Sequence, residues 1–392
     1  MPLAAPTDTD ALLRLVLAGG ASAPRRALLD GARPAAALAA GSGAWRAAGL
    51  DAAQVAALRA PDGMRLDAAA RWLEASGHHL LGWHDPDYPA LLRRVQNPPL
   101  ALFVAGDPAL LWHPSVAIVG SRAPTAGGRD NAAAFAHRFA ASGLAVASGL
   151  ASGIDTAAHA ATLDAGGTTL AVLGTGIDIP YPRANAGLHA RIAAAGAVVS
   201  EYPPGTPGRP EQFPSRNRII AGLALGTLVV EAAHRSGALI TARLAGDAGR
   251  EVFAIPGSIH NPKARGCHRL LRDGAMLVET PDEVAAALAP MAGALADTLR
   301  QRLHAPIPCP GTACETPTAR AVSGTAEHGP GPTPTPDPDY NRLWMALGHD
   351  PSGMDELVER SGLTVARASA MLLSMELDGR VEVAHGRYSR KS

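Results

Sequence analysis

Lysine is nearly missing from this sequence: Lys263 and Lys391 are the only two, so all but two of the 35 basic residues are arginine. The Ala/Arg bias is read as compositional for most of them. Cysteine is also scarce. Cys267, Cys309 and Cys314 cannot build a disulfide framework, which points to a reducing compartment. Aromatic residues make up 4% of the chain, yet 47% hydrophobic against 18% charged content suits a globular protein and excludes a disordered one. No apolar run approaches the ~20 residues of a membrane span. The apolar stretch 11–18 follows Asp8 and Asp10, where a signal peptide would carry positive charge. A cytoplasmic location with no membrane partner is expected. Net charge is lacking too: 35 basic against 35 acidic groups argue against a histone-like binder that works by bulk attraction to phosphate.

What is present is unevenly placed. Residues 1–114 hold 10 basic and 10 acidic groups, residues 115–280 hold 15 and 11, and residues 281–392 hold 10 and 14. The excess sharpens in residues 183–272, with 12 basic against 5 acidic side chains. Glycine (42) and proline (33) supply the punctuation, and 392 residues at roughly 100–200 per domain leave room for two to four domains.

Residues 1–79 read as a small Ala-rich domain of three or four short helices, broken near Gly19-Gly20, Pro34, Gly41 and Pro61. Residues 80–290 then alternate apolar runs with helical stretches. The runs are 116–119, 145–147, 170–173, 197–199, 227–230, 252–255 and 275–278. Seven buried-type strands separated by helices predict an α/β fold with a doubly wound, mostly parallel sheet. Residues 291–339 are expected to be a Pro-rich linker, with nine prolines in 305–339. Residues 340–392 read as helix, tight turn at Ser361-Gly362-Leu363, helix and hairpin, which is a winged-helix order.

In an open α/β sheet the ligand sits beyond the carboxyl ends of the strands. Those ends carry Gly120-Ser121-Arg122, Ser148-Gly149 with Gly153 and Asp155, Gly174-Thr175-Gly176 followed by Tyr181-Pro182-Arg183 and Asn185, Ser200-Glu201-Tyr202, Glu231 with Arg235-Ser236-Gly237, and Pro256-Gly257-Ser258. Glycine, serine and arginine at nearly every strand end point to an anion-binding rim. The stretch Phe213-Pro214-Ser215-Arg216-Asn217-Arg218 adds two arginines and a ring that can serve as a stacking face. One of those two arginines is expected to pair with Glu201, Glu211 or Glu231. No GxGxxG follows the first strand and no GxxxxGK[ST] occurs, so no nucleotide cofactor is expected. Cys309 and Cys314 lack a second ligand pair, and no metal is assigned. Glu231 and Asp155 could form a carboxylate pair, although buried structural roles are commoner for such residues. The rim looks more like a binding surface than an active site.

In chain order the motifs are GSR, SGLASGIDTAAH, GTGIDIPYPRAN, SEYPPG, FPSRNRIIAGL, VVEAAHRSGALITARLA and PGS…ARGCHRLLRDGA. Together they resemble the bacterial DNA-processing protein A (DprA, also called Smf) family over about residues 80–280. The flanking regions resemble, less closely, its N-terminal helical (SAM-like) and C-terminal winged-helix domains. The resemblance implies an extended Rossmann-like domain that binds single-stranded DNA without strong sequence preference. It also implies protection of incoming DNA, loading of RecA recombinase in natural transformation, and a homodimer through that domain. It implies a binding protein and not an enzyme. Arg122 of GSR and the basic residue of YPxxN look like the family's DNA contacts. That second position is often Lys in the family and is Arg183 here, while His268 stands where family members often have Asn. The expected DNA-binding set is Gly120, Ser121, Arg122, Ser148, Gly149, Gly153, Arg183, Asn185, Phe213, Arg216, Asn217, Arg218, Ser236 and Gly237, with the arginines converging on one sheet edge. Two other readings compete: a nucleotide-processing hydrolase with Glu231 as acid/base, and a winged-helix transcription regulator.

Overall fold

Capping fixes where the first helices begin. The Thr7 hydroxyl accepts from the Asp10 amide while the Asp10 carboxylate accepts from the Thr7 amide, and Asp51 and Gln54 form the same reciprocal box. In the computed structural model, which describes residues 7–304, 338–347, 351–384 and 387–390, six short helices follow from such starts and from glycine stops. They are α1 (Asp8–Leu17), α2 (Ser22–Ala27), α3 (Pro34–Ala39), α4 (Gly41–Ala47), α5 (Ala52–Arg59) and α6 (Gly63–Leu73). The punctuation divides the segment more finely than the three or four helices expected. Leu12, Leu15, Leu29, Trp45 and Leu58 form their shared core. Leu13 and Ala69 point the other way, onto Phe103, Ala171 and Val198, so the helices share one compact unit, Met1–Leu303, with the sheet.

The sheet has nine strands: β1 (His78–Gly82), β2 (Ala101–Gly106), β3 (Ser115–Val119), β4 (Ala145–Ser148), β5 (Thr169–Val172), β6 (Ala197–Ser200), β7 (Gly226–Val229), β8 (Glu251–Ala254) and β9 (Met276–Leu277). Their order is β1-β2-β6-β5-β4-β3-β7-β8-β9. From β6 to β9 every pairing is parallel. β1 and β2 are antiparallel additions at one edge, with His78 opposite Ala105 and Phe103 opposite Ser200. Neither was anticipated from the sequence. The seventh expected run does form a strand, β9, but Met276 and Leu277 are about half exposed, so it is an edge and not a buried strand.

Alternation along the strands builds two cores, as a sheet covered on both faces requires. Ala117, Val119, Val172 and Val229 pack under α7 (Ala90–Arg93), α11 (Gln212–Leu223), α12 (Gly237–Asp247) and α13 (Arg265–Arg272). Val116, Ile118, Val146 and Leu228 pack on the opposite face under α8 (Ala126–Ala141), α9 (Ile154–Asp164) and α14 (Pro281–His304). The remaining helix of this unit, α10 (Ala186–Ala195), covers β2, β5 and β6. The expected domain boundary at 290 falls inside α14, which runs through Pro290. The Pro-rich segment with Cys309 and Cys314 lies outside the described residues.

The chain leaves β3 toward β4, β5 and β6, then returns to place β7 on the other side of β3. That reversal opens a crevice between the carboxyl ends of β3 and β7, where open α/β sheets bind ligands.

The second unit, His304–Ser392, contains α15 (Pro338–Ala346), β10 (Ser352–Gly353), α16 (Met354–Ser361), α17 (Val365–Leu377) and the hairpin β11 (Val381–Ala384) with β12 (Arg387–Arg390). Gly362, at φ 68°, ends α16 in the left-handed region and makes the tight turn into α17. Leu343, Leu357, Leu372, Met375 and Val381 close the core. This is the winged-helix order read from the sequence.

Candidate nucleic-acid interface

A cleft of about 740 Å³ occupies the crevice, lined among others by Gly120, Ser121, Arg122, Asp155, Tyr181, Phe213, Arg216, Asn217, Ser236 and Gly237. Its walls are built by glycines that let loops touch. Gly153 sits at φ 86°, and a Cβ there would come within 2.4 Å of the Ser121 carbonyl oxygen. The Ile154 amide donates to that same oxygen at 3.1 Å, so the loops after β3 and β4 are tied together.

Two acidic residues hold the walls from behind. Glu231 accepts from the Thr125 amide at 2.9 Å, from the Thr125 hydroxyl at 2.6 Å and from Asn261 Nδ2 at 3.3 Å. It thereby clamps the start of α8, where a carboxylate also favours the helix dipole. Asp155 accepts from the amides of Gly149 (3.0 Å) and Ala151 (3.3 Å). The two carboxylates serve different loops and share no hydrogen-bond donor among the described residues. The backbone amides that sequence reasoning offered to a phosphate after β4 are therefore occupied by a carboxylate of the protein itself.

Beneath them lies Arg216, 4% exposed. Its Nη1 donates to the carbonyls of Gly149 and Val172, while its Nε has no partner among the described residues. Burial pushes the guanidinium down to about 10, and Asp155 opposes that shift. Burial raises the Asp155 carboxyl in turn, with Arg216 pulling it back. Next to this pair is buried His159. The Thr169 hydroxyl donates to the Val146 carbonyl, so it must accept from His159 Nδ1–H at 2.6 Å. The imidazole is thus neutral with Nε2 bare, and burial together with Arg216 lowers it to about 3. Nothing in residue spacing announced this histidine; only its placement under an arginine does.

The expected contacts fall into three groups. Arg122 and Arg183 are exposed and have no side-chain partner among the described residues. Arg235 and Arg209 share that state: Arg235 immediately precedes Ser236 of the lining, and Arg209 stands between the lining residues Gly208 and Pro210. These two were missed as site residues, although Arg235 belongs to a strand-end motif and Arg209 to a Gly/Pro-rich loop. Tyr181, 51% exposed, and Phe213 put their ring centroids 4.9 Å apart at 43° beside the cleft. Ser236 caps α12 through the Ala238 amide, leaving Gly237 at the helix start, and Asn217 Nδ2 reaches the Gly237 carbonyl at 3.4 Å.

A second group supports the cleft from inside. Buried Ser148 donates to the Ile118 carbonyl at 2.6 Å. Gly149 makes room for Arg216. Asn185 donates to the Leu150 carbonyl and the Thr156 hydroxyl, both at 2.9 Å, holding Leu150 at φ 56°. Arg218 forms the third. It does not converge with the other arginines: it lines a separate cleft, is paired with both Glu201 oxygens at 2.9 and 2.6 Å, and donates to the Asn97 carbonyl. One of the two arginines does pair with Glu201, as the sequence suggested. Among the described residues no group of three His, Cys, Asp or Glu could hold a metal ion, and no helix is long and apolar enough to cross a membrane.

A sequence profile described as DNA recombination-mediator protein A matches residues 79–289. The chain belongs to that family. A second profile, the DprA winged helix domain, matches residues 327–387. Protein Smf of Escherichia coli is 38% identical over 330 residues, covering 83% of this chain and 80% of the relative. DNA processing protein DprA of Streptococcus pneumoniae is 47% identical over 202 residues, or 52% of this chain and 71% of that protein. A solved structure of the pneumococcal protein covers 72% of this chain and 98% of its own, at 36% identity and a TM-score of 0.64. One of the Helicobacter pylori protein, concerned with its single-stranded DNA binding mode, covers 54% and 96% at 27% identity and a TM-score of 0.50. Membership in the family and the mixed α/β fold with a winged helix thus agree with the resemblance read from the motifs.

Proposed function

We propose that this chain binds single-stranded DNA in the switch-point cleft without reading its sequence, as a recombination mediator that is not an enzyme. The observation that carries the reading is a set of exposed arginines, without side-chain partners among the described residues, near a ring pair: Arg122 lines the cleft with exposed Tyr181 and half-buried Phe213, and Arg183 follows Tyr181 by two residues. A strand bound without sequence preference needs a cationic track and ring faces, not a base-edge code. The single-stranded DNA of the Helicobacter relative supports the ligand. Protection of incoming DNA, RecA loading in transformation and a cytoplasmic setting rest only on the resemblance read from the motifs. The homodimer is supported by β9, an edge strand whose Met276 and Leu277 are both exposed and apolar. Glu231 is a poor acid/base for the hydrolase reading, because both its oxygens already accept hydrogen bonds.

Arg122→Glu and Arg183→Glu are expected to abolish retention of labelled oligo-dT in a gel shift while leaving the elution volume of the protein unchanged. Binding like wild type by either variant at moderate salt would sink the cleft. Release of base from nucleoside monophosphates by the wild-type protein, with no DNA retained, would favour the hydrolase.

A further inference from the structure

The loop after β8, residues 255–264, stands at the same sheet end as the cleft, just outside its lining. It is fixed against the loop after β7, which supplies Ala233 and Ser236 to that lining. The Ala232 amide donates to the Lys263 carbonyl at 2.7 Å, the Gly266 amide to the Ala232 carbonyl at 2.7 Å, and Asn261 Nδ2 to Glu231 at 3.3 Å. Two side-chain turns shape its tip. The Ser258 hydroxyl accepts from the His260 amide at 3.3 Å, and Asn261 Oδ1 accepts from the Lys263 amide at 2.9 Å. Held in this way, the tip presents Ile259, 75% exposed, beside exposed His260.

Charge on this side of the cleft is of one sign. No Asp or Glu occurs in 232–246 or 252–272, which hold Arg235, Arg243, Lys263, Arg265, Arg269 and Arg272. Arg269 pairs with Asp273, but exposed Arg235 and half-exposed Lys263 have no side-chain partner among the described residues. Glu231 is buried and already accepts from Thr125 and Asn261. A lone exposed isoleucine is ordinary on any surface. A fixed apolar tip beside unpaired cations repeats, on the β8 side, what Tyr181 and Arg183 present after β5.

We infer, on the single-strand reading of the cleft, that a bound strand runs on past Arg235 onto this loop, where Lys263 meets a phosphate and Ile259 supports a base. β5, β4, β3, β7 and β8 lie side by side. From the Tyr181–Arg183 segment to the loop after β8 the rim therefore crosses four inter-strand steps of ~4.8 Å, about 19 Å in all. At ~3.4 Å per stacked nucleotide, one protomer covers about six nucleotides, and fewer if the strand is extended. An ammonium on a flexible stem meets phosphate as a point charge, and an aliphatic face accepts any base, so the contact stays blind to sequence. The occupant is the strand and not an acidic peptide, because the loop continues the cationic edge of the cleft.

The test uses the full chain and fluorescence anisotropy on labelled oligo-dT of three and of six nucleotides, with a labelled polyglutamate peptide beside them. Wild-type affinity should climb from the shorter to the longer strand. I259S/K263Q should bind the trinucleotide as wild type does and the hexanucleotide about tenfold more weakly, with a salt slope lower by about 0.7. K263E should weaken the hexanucleotide further. R122E, which removes the cleft, should lose both lengths. Wild-type affinity of I259S/K263Q for the hexanucleotide, or a loss confined to polyglutamate, overturns the inference and leaves the loop to a protein partner. Equal losses on both lengths overturn it too, because the changes then act inside the cleft. If R122E binds both lengths like wild type while I259S/K263Q loses the hexanucleotide, the cleft reading falls and the loop contact stands. Should I259S/K263Q alter the elution volume or melting temperature, K263Q alone, whose side chain has no partner among the described residues, carries the same comparison.

Discussion

A methyl group added at Gly149 would sit 2.6 Å from both Nη atoms of Arg216. The glycine is there for space, since its backbone is not in the left-handed region. Gly149→Ala is expected to lower stability by about 1–3 kcal/mol, the usual cost of overpacking, in a urea titration. An unchanged midpoint would show that Arg216 can move aside. His159 supplies a pH prediction. Its folded value of about 3 lies below the ~6.5 of an unfolded histidine, so between those values the unfolded chain binds the extra proton. Stability is then fully present above pH ~6.5 and is lost as pH falls toward 3, by up to about 1.4 kcal/mol per unit. His159→Gln should flatten the segment between pH 6.5 and 5, before most carboxylates titrate. A slope identical to wild type there would place the proton elsewhere. Gly149 was legible in the sequence as a strand-end glycine, but the spacing suggested a phosphate cradle. The structure uses the position to admit an arginine.

Among the elements, α8 shows how a binding loop is held from outside itself. The segment 120–125 carries Arg122, and its far end is fixed by Glu231, which arrives from β7. Glu231→Ala leaves the Thr125 amide and hydroxyl without their acceptor and should cost about 1–3 kcal/mol. It should also weaken oligo-dT binding, although Glu231 repels phosphate, because the Arg122 loop loses its anchor. Tighter binding by the variant, measured by anisotropy, would mean that charge outweighs positioning. The parallel strands β3 to β8 were legible because each is a short apolar run with an abrupt polar or glycine stop: Gly or Ser after β3 to β6, Glu231 after β7 and Pro256-Gly257 after β8. β1 and β2 were not. His78-His79-Leu80-Leu81-Gly82 alternates too weakly, and its pairing with Ala101–Gly106 closes across a long connection that carries α7. β9 was legible as an apolar run, but its exposure depends on being last in the sheet order.

For the whole molecule, zero net charge describes two units and a cleft that do not share it. The cationic excess of residues 183–272 contains Arg216 and Arg218, which are occupied internally, and Arg183, Arg209 and Arg235, which are exposed and have no side-chain partner among the described residues. A chain ending at residue 304 should keep single-strand binding in the cleft, measured by anisotropy on labelled oligo-dT. Its salt slope should fall with each further cleft arginine removed, by about 0.7 for a single strand. Loss of all binding on truncation would move the main site to the C-terminal unit. The sequence by itself determined the strand runs, the glycine stops, the winged-helix order and the family motifs, since these depend on residues close together in the chain. Tertiary structure alone decided which arginines can meet a ligand. Charge pairing and desolvation depend on distance through space: Arg216 reaches Val172 and Gly149, Arg218 reaches Glu201 and Asn97, and exposed Arg122 has no side-chain partner among the described residues.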